Sequence, residues 1–395
     1  TLALPALAYD SESISINGFG SIIAAQTLDS DETLYGNDND LSFQNESMFA
    51  LQVAAPIGEK FSATAQITAK GVNEFDPKFE WAYISYQATD NLIVMAGRQR
   101  FNLYKYSDYV DVGYAYHWVR PPQGVYSLPF NSGNGLGFLY NTALDDVDFN
   151  FTYKFIGEEI SDYVPSGTTG IPPAKFKTTM SHLLNFDFTW YELNFGANYG
   201  LVPELSYEAQ AFDTLDALLR TQQIIDDQEW PASPPAPIPT ALTDAEADAV
   251  MAQVRADDEK VNFFGTYIGY DLGDWFVLAE YTYYEFDEAN AFSDQDSLYL
   301  TAGVRINDFT IHGTYGTDKN DPSSDIYKTV ADPQLQALVK DAVSQQEEDS
   351  KTYSLGVRWE ADSGLALKAD YTRYRDDLDK TADANLISAG VDFVF

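Results

Sequence analysis

The sequence predicts an all-β fold: a transmembrane antiparallel β-barrel of about sixteen strands, with one inward-folded constriction loop and short helices in its long extracellular loops. Three observations lead there. Apolar and polar residues alternate with period two in one segment after another, the pattern of strands with one apolar and one polar face. The connections between these segments are short and long by turns, as in barrels with turns on one side of a membrane and loops on the other. Tryptophans fall at the short turns and the last segment ends in Phe395, as an aromatic girdle at the membrane interface requires.

Taken in order, the chain opens with TLALPALA, where Ala6-Leu7-Ala8 forms a small-x-small cleavage pattern after an apolar run. Residues 1–8 therefore read as the tail of a secretory signal, and residues 9–395 as one barrel domain. Phe61, Ala63, Ala65, Ile67 and Ala69 share one face, and Ser62, Thr64, Gln66, Thr68 and Lys70 the other. Val147, Phe149, Phe151, Tyr153 and Phe155 alternate with Asp148, Asn150, Thr152 and Lys154 in the same way. So do Tyr353, Leu355, Val357 and Trp359 with Thr352, Ser354, Arg358 and Glu360. Tight connections are expected at 56–60, 88–91, 143–147, 189–192, 271–274, 306–308 and 360–364. Strands then begin near residues 13, 43, 61, 79, 92, 133, 147, 179, 192, 260, 275, 297, 309, 350, 365 and 385.

Two long connections carry helical spacing. Leu215, Leu218, Leu219 and Ile225 form one stripe, and Leu335, Leu338, Val339 and Val343 another after Pro333. They read as local helices folded over the loop surface or, on a sharper reading, as a partner-binding lid.

Alternation alone also fits a soluble sandwich. Trp190, Trp275 and Trp359 argue against it, since all three sit at tight turns on the same end of their strands. The polar face also carries charges in mid-strand, at Glu280, Arg305, Arg358, Lys368 and Asp370. An aqueous lumen tolerates such groups, whereas a packed interior must pair each one. In the final strand Ile387, Ala389, Val391, Phe393 and Phe395 face outward, with Ser388 and Asp392 inward.

The stretch from Arg98 to Asn134 runs from a strand into about thirty residues without helical period, a length that inside a compact protein usually marks function. It concentrates Tyr104, Tyr106, Tyr114, Tyr116, Trp118 and Tyr126, and gathers Arg98, Arg100, Lys105 and Arg120 in a chain of 23 basic and 61 acidic residues. Opposed to Asp108 and Asp111, these cations suit a transverse field at the narrow point of a pore. The alternative is structural, with the arginines pairing with loop acids and aromatics to pin the loop to the wall.

Composition excludes several classes. With no cysteine there is no thiolate metal site, thiol nucleophile or disulfide. A net charge of −38 opposes nucleic acid, whose phosphates need a basic face. His117, His182 and His312 lie in separate elements, and GNGLG lacks the lysine of a nucleotide loop. No enzymatic activity and no cofactor are expected. The acids of the outer loops, Asp29, Asp31, Asp38 and Asp40 or Asp226, Asp227 and Glu229, are expected to be solvated, with weak divalent-cation binding as the sharper reading.

On this pattern the chain resembles the Gram-negative general diffusion porins of the sixteen-stranded, trimeric kind. Locally the resemblance rests on AGRQRFNLY (Ala96–Tyr104), which is similar to the strand end leading into the porin constriction loop. The acidic Pro-Glu-Phe-Gly-Gly-Asp run of the enterobacterial members is missing, which leaves the opposing acids open. The resemblance implies a homotrimer in the outer membrane, with both termini periplasmic and lipid and lipopolysaccharide as neighbours. It implies passive diffusion of small hydrophilic solutes and ions. Alternatives are a substrate-selective channel, with Tyr104–Tyr126 as a stacking slide for sugars, or a barrel serving adhesion or as an enzyme scaffold.

Overall fold

A computed structural model describes residues 13–128, 131–163, 173–221 and 241–395. Sixteen strands form its wall: β1 (Ser15–Thr27), β2 (Met48–Ile57), β3 (Phe61–Lys70), β4 (Pro77–Gln87), β5 (Leu92–Arg100), β6 (Ser132–Leu144), β7 (Val147–Tyr163) and β8 (Ala174–Trp190). They are followed by β9 (Leu193–Glu208), β10 (Ala256–Asp271), β11 (Trp275–Phe286), β12 (Ser293–Ile306), β13 (Phe309–Pro322), β14 (Glu348–Asp362), β15 (Leu365–Asp376) and β16 (Ala384–Val394). Each pairs antiparallel with its neighbours in sequence, and β1 pairs with β16 to close the barrel, with Ser21 opposite Asp392. Closure leaves no unpaired edge, which the interior of a bilayer demands.

The seven tight turns fall where the sequence places them, and the two-residue ones at Asp145, Tyr191 and Asn307 carry the left-handed backbone such turns need, with φ of 52°, 52° and 53°. All seven lie at one end of the barrel together with the start of β1 and the end of β16, and the long loops lie at the other. Strand starts agree to within a few residues. The largest differences are at β2, where residues 43–47 belong to the preceding loop, and at β8, β10 and β12, which begin earlier than expected. β2 to β5 have 9 to 11 residues, the length that just crosses a bilayer. β7 to β10 have 16 or 17, so this side of the wall stands well above the membrane. No described helix is long and apolar enough to cross a membrane, and the proposed signal tail lies outside the described residues.

The outer face is apolar as predicted. Phe61 and Ile67 are exposed while Ser62, Thr64 and Gln66 between them, and Thr68 after them, are buried. Trp190, Trp275 and Trp359 are all exposed at the turn end, with Trp359 stacked on Phe309 at 5.9 Å and Trp275 beside Tyr270 at 5.8 Å.

The inner face departs from the expectation of charges standing in open water. Glu280, Arg358, Lys368 and Asp370 are all buried, because the loop between β5 and β6 folds into the lumen and meets them. Arg305 alone lies near the turns with a partly exposed side chain, 2.7 Å from Asp271.

Above the tall wall, α1 (Gln210–Arg220), α2 (Asp244–Met251) and α3 (Pro333–Ser344) pack on one another through Leu215, Leu219, Val250, Leu335, Val339 and Val343. Thr243 and Glu246 form a capping box on α2, and Asp332 caps α3 before Pro333. Of the two predicted stripes, Leu218 is half-buried, Leu338 is exposed, and Ile225 lies outside the described residues. The buried stripe is narrower because each helix turns only one face to the other two.

Candidate functional site

The constriction loop, residues 101–131, leaves β5 after Arg100, and the strand bends before it at Gly97. This glycine has φ of +132°, and a Cβ there would strike the Ala82 carbonyl, so the β4–β5 pairing at this bend requires glycine. Arg98 next to it donates through Nε to the Phe79 carbonyl at 2.7 Å and pairs with Glu158 at 2.7 Å. Arg100 takes different partners. It is buried against Asp111 in the loop, with Glu80 at 3.9 Å. Lys70 lies 2.9 Å from the same Asp111 and 3.6 Å from Glu80. Burial works against ionising Asp111, but the Arg100 and Lys70 cations hold its carboxyl well below the usual carboxylate range.

From there the loop crosses the lumen. Asp108 accepts from Asn102 at 3.3 Å and lies 3.6 Å from Lys154. Lys105 donates its backbone N–H to Glu280 at 2.7 Å and its ammonium to Asn194 at 2.8 Å, with the ammonium 4.1 Å from the centre of the Tyr267 ring. Tyr126 and Tyr299 donate their hydroxyls to the other Glu280 oxygen at 2.7 and 2.8 Å. Two cations of the wall then take up the turn at 113–118. Arg358 donates to the carbonyls of Tyr114 and Tyr116, both at 2.6 Å. Lys368 donates to those of Gly113 at 2.6 Å and Trp118 at 2.8 Å, and pairs with Asp392 at 2.8 Å. Asp370 accepts the Val119 N–H at 2.8 Å. This cradle satisfies backbone groups that a loop buried in the lumen would otherwise leave without partners. Arg120 ends the crossing in a two-oxygen pair with Glu46, with Tyr35 below it at 5.1 Å.

The four basic residues of the loop are therefore not one cluster. Arg98 and Arg100 lie in neighbouring ion pairs by β3 to β7, Lys105 meets β9 and β11, and Arg120 meets the loop before β2. The aromatic residues pack among themselves. Tyr104, Tyr106, Tyr116 and Trp118 are buried, Tyr104 lies 4.9 Å from Tyr126, and Trp118 lies 5.8 Å from Tyr106 and 5.6 Å from Tyr299. Trp118 donates its indole N–H to Thr314 at 2.8 Å. Tyr114 keeps its ring under Arg358 at 4.7 Å. A sugar slide needs exposed ring faces, and most of these rings spend theirs on packing.

On the other side of the loop a polar cavity of about 160 Å³ opens among Lys70, Lys78, Glu80, Arg98, Ser132 and Glu158. Sequence reasoning missed Glu80 and Glu158, the acids that face the arginines, along with Glu46. Glu46 lies in a loop with no strand parity, and Glu80 sits beside a register shift in the β3–β4 pairing. Lys70, by contrast, lay on the polar parity of its strand.

Comparison with known proteins now bears on this geometry. A family model described as Gram-negative porin matches residues 1–395. A search of curated proteins finds no match. Among solved structures, Salmonella typhi OmpF in complex with daunomycin is 12% identical with a TM-score of 0.55, covering 97% of each chain. A loop-deletion mutant of OmpT, an outer membrane protein of Vibrio cholerae, is 14% identical with a TM-score of 0.54, covering 97% of this chain and 100% of that one. A mutant Rh. blastica porin is 13% identical with a TM-score of 0.50, covering 97% and 100%. At such identities these likenesses speak for the fold, and the family match over the whole length speaks for descent: the chain belongs to the Gram-negative porin family.

Proposed function

We propose that this porin passes small hydrophilic solutes and ions along one side of its lumen, between the constriction loop and the wall from β3 to β7. The observation that carries the path is the mixed-charge cavity among Lys70, Glu80, Arg98 and Glu158, set against the close packing of the loop on β11 to β16. Charged residues ringing a narrow point govern which ions pass. The channel works by diffusion, without catalytic chemistry and without a resident cofactor. The exposed acids Asp29, Asp31, Asp38 and Asp40 suit only weak divalent-cation binding beside lipopolysaccharide, since no group of three possible metal ligands gathers among the described residues.

The assembly we assign is a homotrimer, with both termini on the periplasmic side. Its support is the low wall of β2 to β5, where Phe49 and Leu51 stand exposed beside Phe395, a surface that either lipid or another copy covers. In planar bilayers the purified protein should give ohmic steps that do not saturate with solute, and native mass spectrometry in mild detergent should give three chains. Saturable block by a single sugar would favour a selective channel instead, and absence of conductance would reject both.

A further inference from the structure

The cradle that holds the constriction loop contains two histidines that no part of the conduction path uses. His117 of the loop and His312 of β13 meet edge to face with ring centres 4.6 Å apart. His117 also lies 3.9 Å from the Trp118 ring and 4.7 Å from the Phe276 ring of β11, and its Nε2 is 3.2 Å from the Thr301 hydroxyl of β12. His312 is buried, and neither of its ring nitrogens has a hydrogen-bond partner; Nε2 stands 3.4 Å from Asp370 of β15. Its ring and the Asp370 carboxylate lie over Gly356 of β14, where any Cβ would collide with both. The pocket thus fits closely around the His312 ring.

The charged groups facing the pair are Arg305 from β12, Arg358 from β14, and Lys368 and Asp370 from β15. Three are cations and one is an anion; Asp370 accepts the Val119 N–H through Oδ2 and turns its Oδ1 to His312. Protonating His117 adds a cation where Arg358 and Lys368 hold the loop's carbonyls. We propose that the His117–His312 contact is an acid-released latch: protonation expels His117 from the wall and frees the 113–120 segment of the constriction loop.

The sign of the linkage follows from which state binds the proton. Burial, then His312, Lys368, Arg358 and Arg305, push the His117 imidazole well below its ordinary range while the loop is docked. In water the same group titrates near 6.5, roughly the ordinary value. The docked state therefore has its full stability above that pH and loses it as pH falls below, by about tenfold per unit for one group.

The latch holds the loop whether or not the protein conducts, so loop position is read directly. The chain has no cysteine, and Ser388 is buried on the inner face of β16 opposite Asp370. Ser388→Cys in the assembled protein is labelled with 4,4′-dithiodipyridine from pH 7.5 to 4.5. Ser363→Cys in an exposed turn supplies the reagent's own pH dependence. The corrected rate should be low and flat above pH 6.5, then rise about tenfold per unit below it. His117→Gln on the Ser388→Cys background should remove the rise; if that variant does not assemble, judged by heat-modifiable gel mobility, His117→Asn takes its place. A rate that stays flat in acid, or a rise that survives the histidine substitution, overturns the latch. Normal labelling in a protein without bilayer conductance would instead count against the channel reading alone.

Discussion

Lys368 and Asp392 form an ion pair with both side chains wholly buried, where strand alternation alone expects open water. A pair removed from solvent contributes little by itself, but taking away one partner leaves the other uncompensated, at a cost of about 3–5 kcal/mol. Lys368→Met should destabilise the barrel by that order in urea unfolding, and it also deprives the Gly113 and Trp118 carbonyls of their donor. Adding Asp392→Leu should recover part of the loss, since the stranded carboxylate goes with it. An additive double mutant would show that the two residues do not act as a pair. Parity alone places Lys368 and Asp392 on the inner face and does not pair them, because they lie on adjacent strands whose register alternation leaves open. Parity was equally silent on Glu46, whose partnership with Arg120 joins two loops.

At the level of the strand, period two was legible almost everywhere, and β7 shows both its reach and its limit. Phe151 faces outward and lies 5.0 Å from Phe186 of β8, while Thr152 faces inward. Phe151→Arg should cost on the order of 2 kcal/mol, toward the low end for an arginine at the bilayer midplane, since the position lies nearer the turns. Alternation alone expects Thr152→Arg to be neutral, as in a wet lumen. Thr152 is only 5% exposed, however, so an arginine there overpacks the wall at a cost on the order of 1–3 kcal/mol. Equilibrium unfolding of both variants in lipid vesicles checks this, and a neutral Thr152→Arg would mean that the lumen beside β7 is open. The face a residue occupies is local information. Whether that face is covered depends on a loop whose path was not written in any period, only in its length and its aromatic content.

For the whole molecule the question is how a chain of net charge −38 sets the charge of its narrow passage. The acid excess lies largely where water and salt screen it, within a Debye length of about 8 Å at physiological ionic strength. Around the cavity the balance is closer: Lys70, Arg98 and Arg100 stand against Glu80, Asp111 and Glu158. Such groups between low-dielectric walls act on a permeating ion more strongly than the rim does. Arg100 is a poor test, because it is itself buried in its pair with Asp111. Arg98 is better placed, with a side chain 24% exposed beside the cavity. Arg98→Gln should move the reversal potential under a salt gradient toward cation preference, and Glu158→Gln should move it the other way. Opposite shifts of similar size follow only if the two side chains flank the ion path. Equal shifts in one direction, or none from either, would place the passage elsewhere in the lumen and take the selectivity away from the strand end at Arg98.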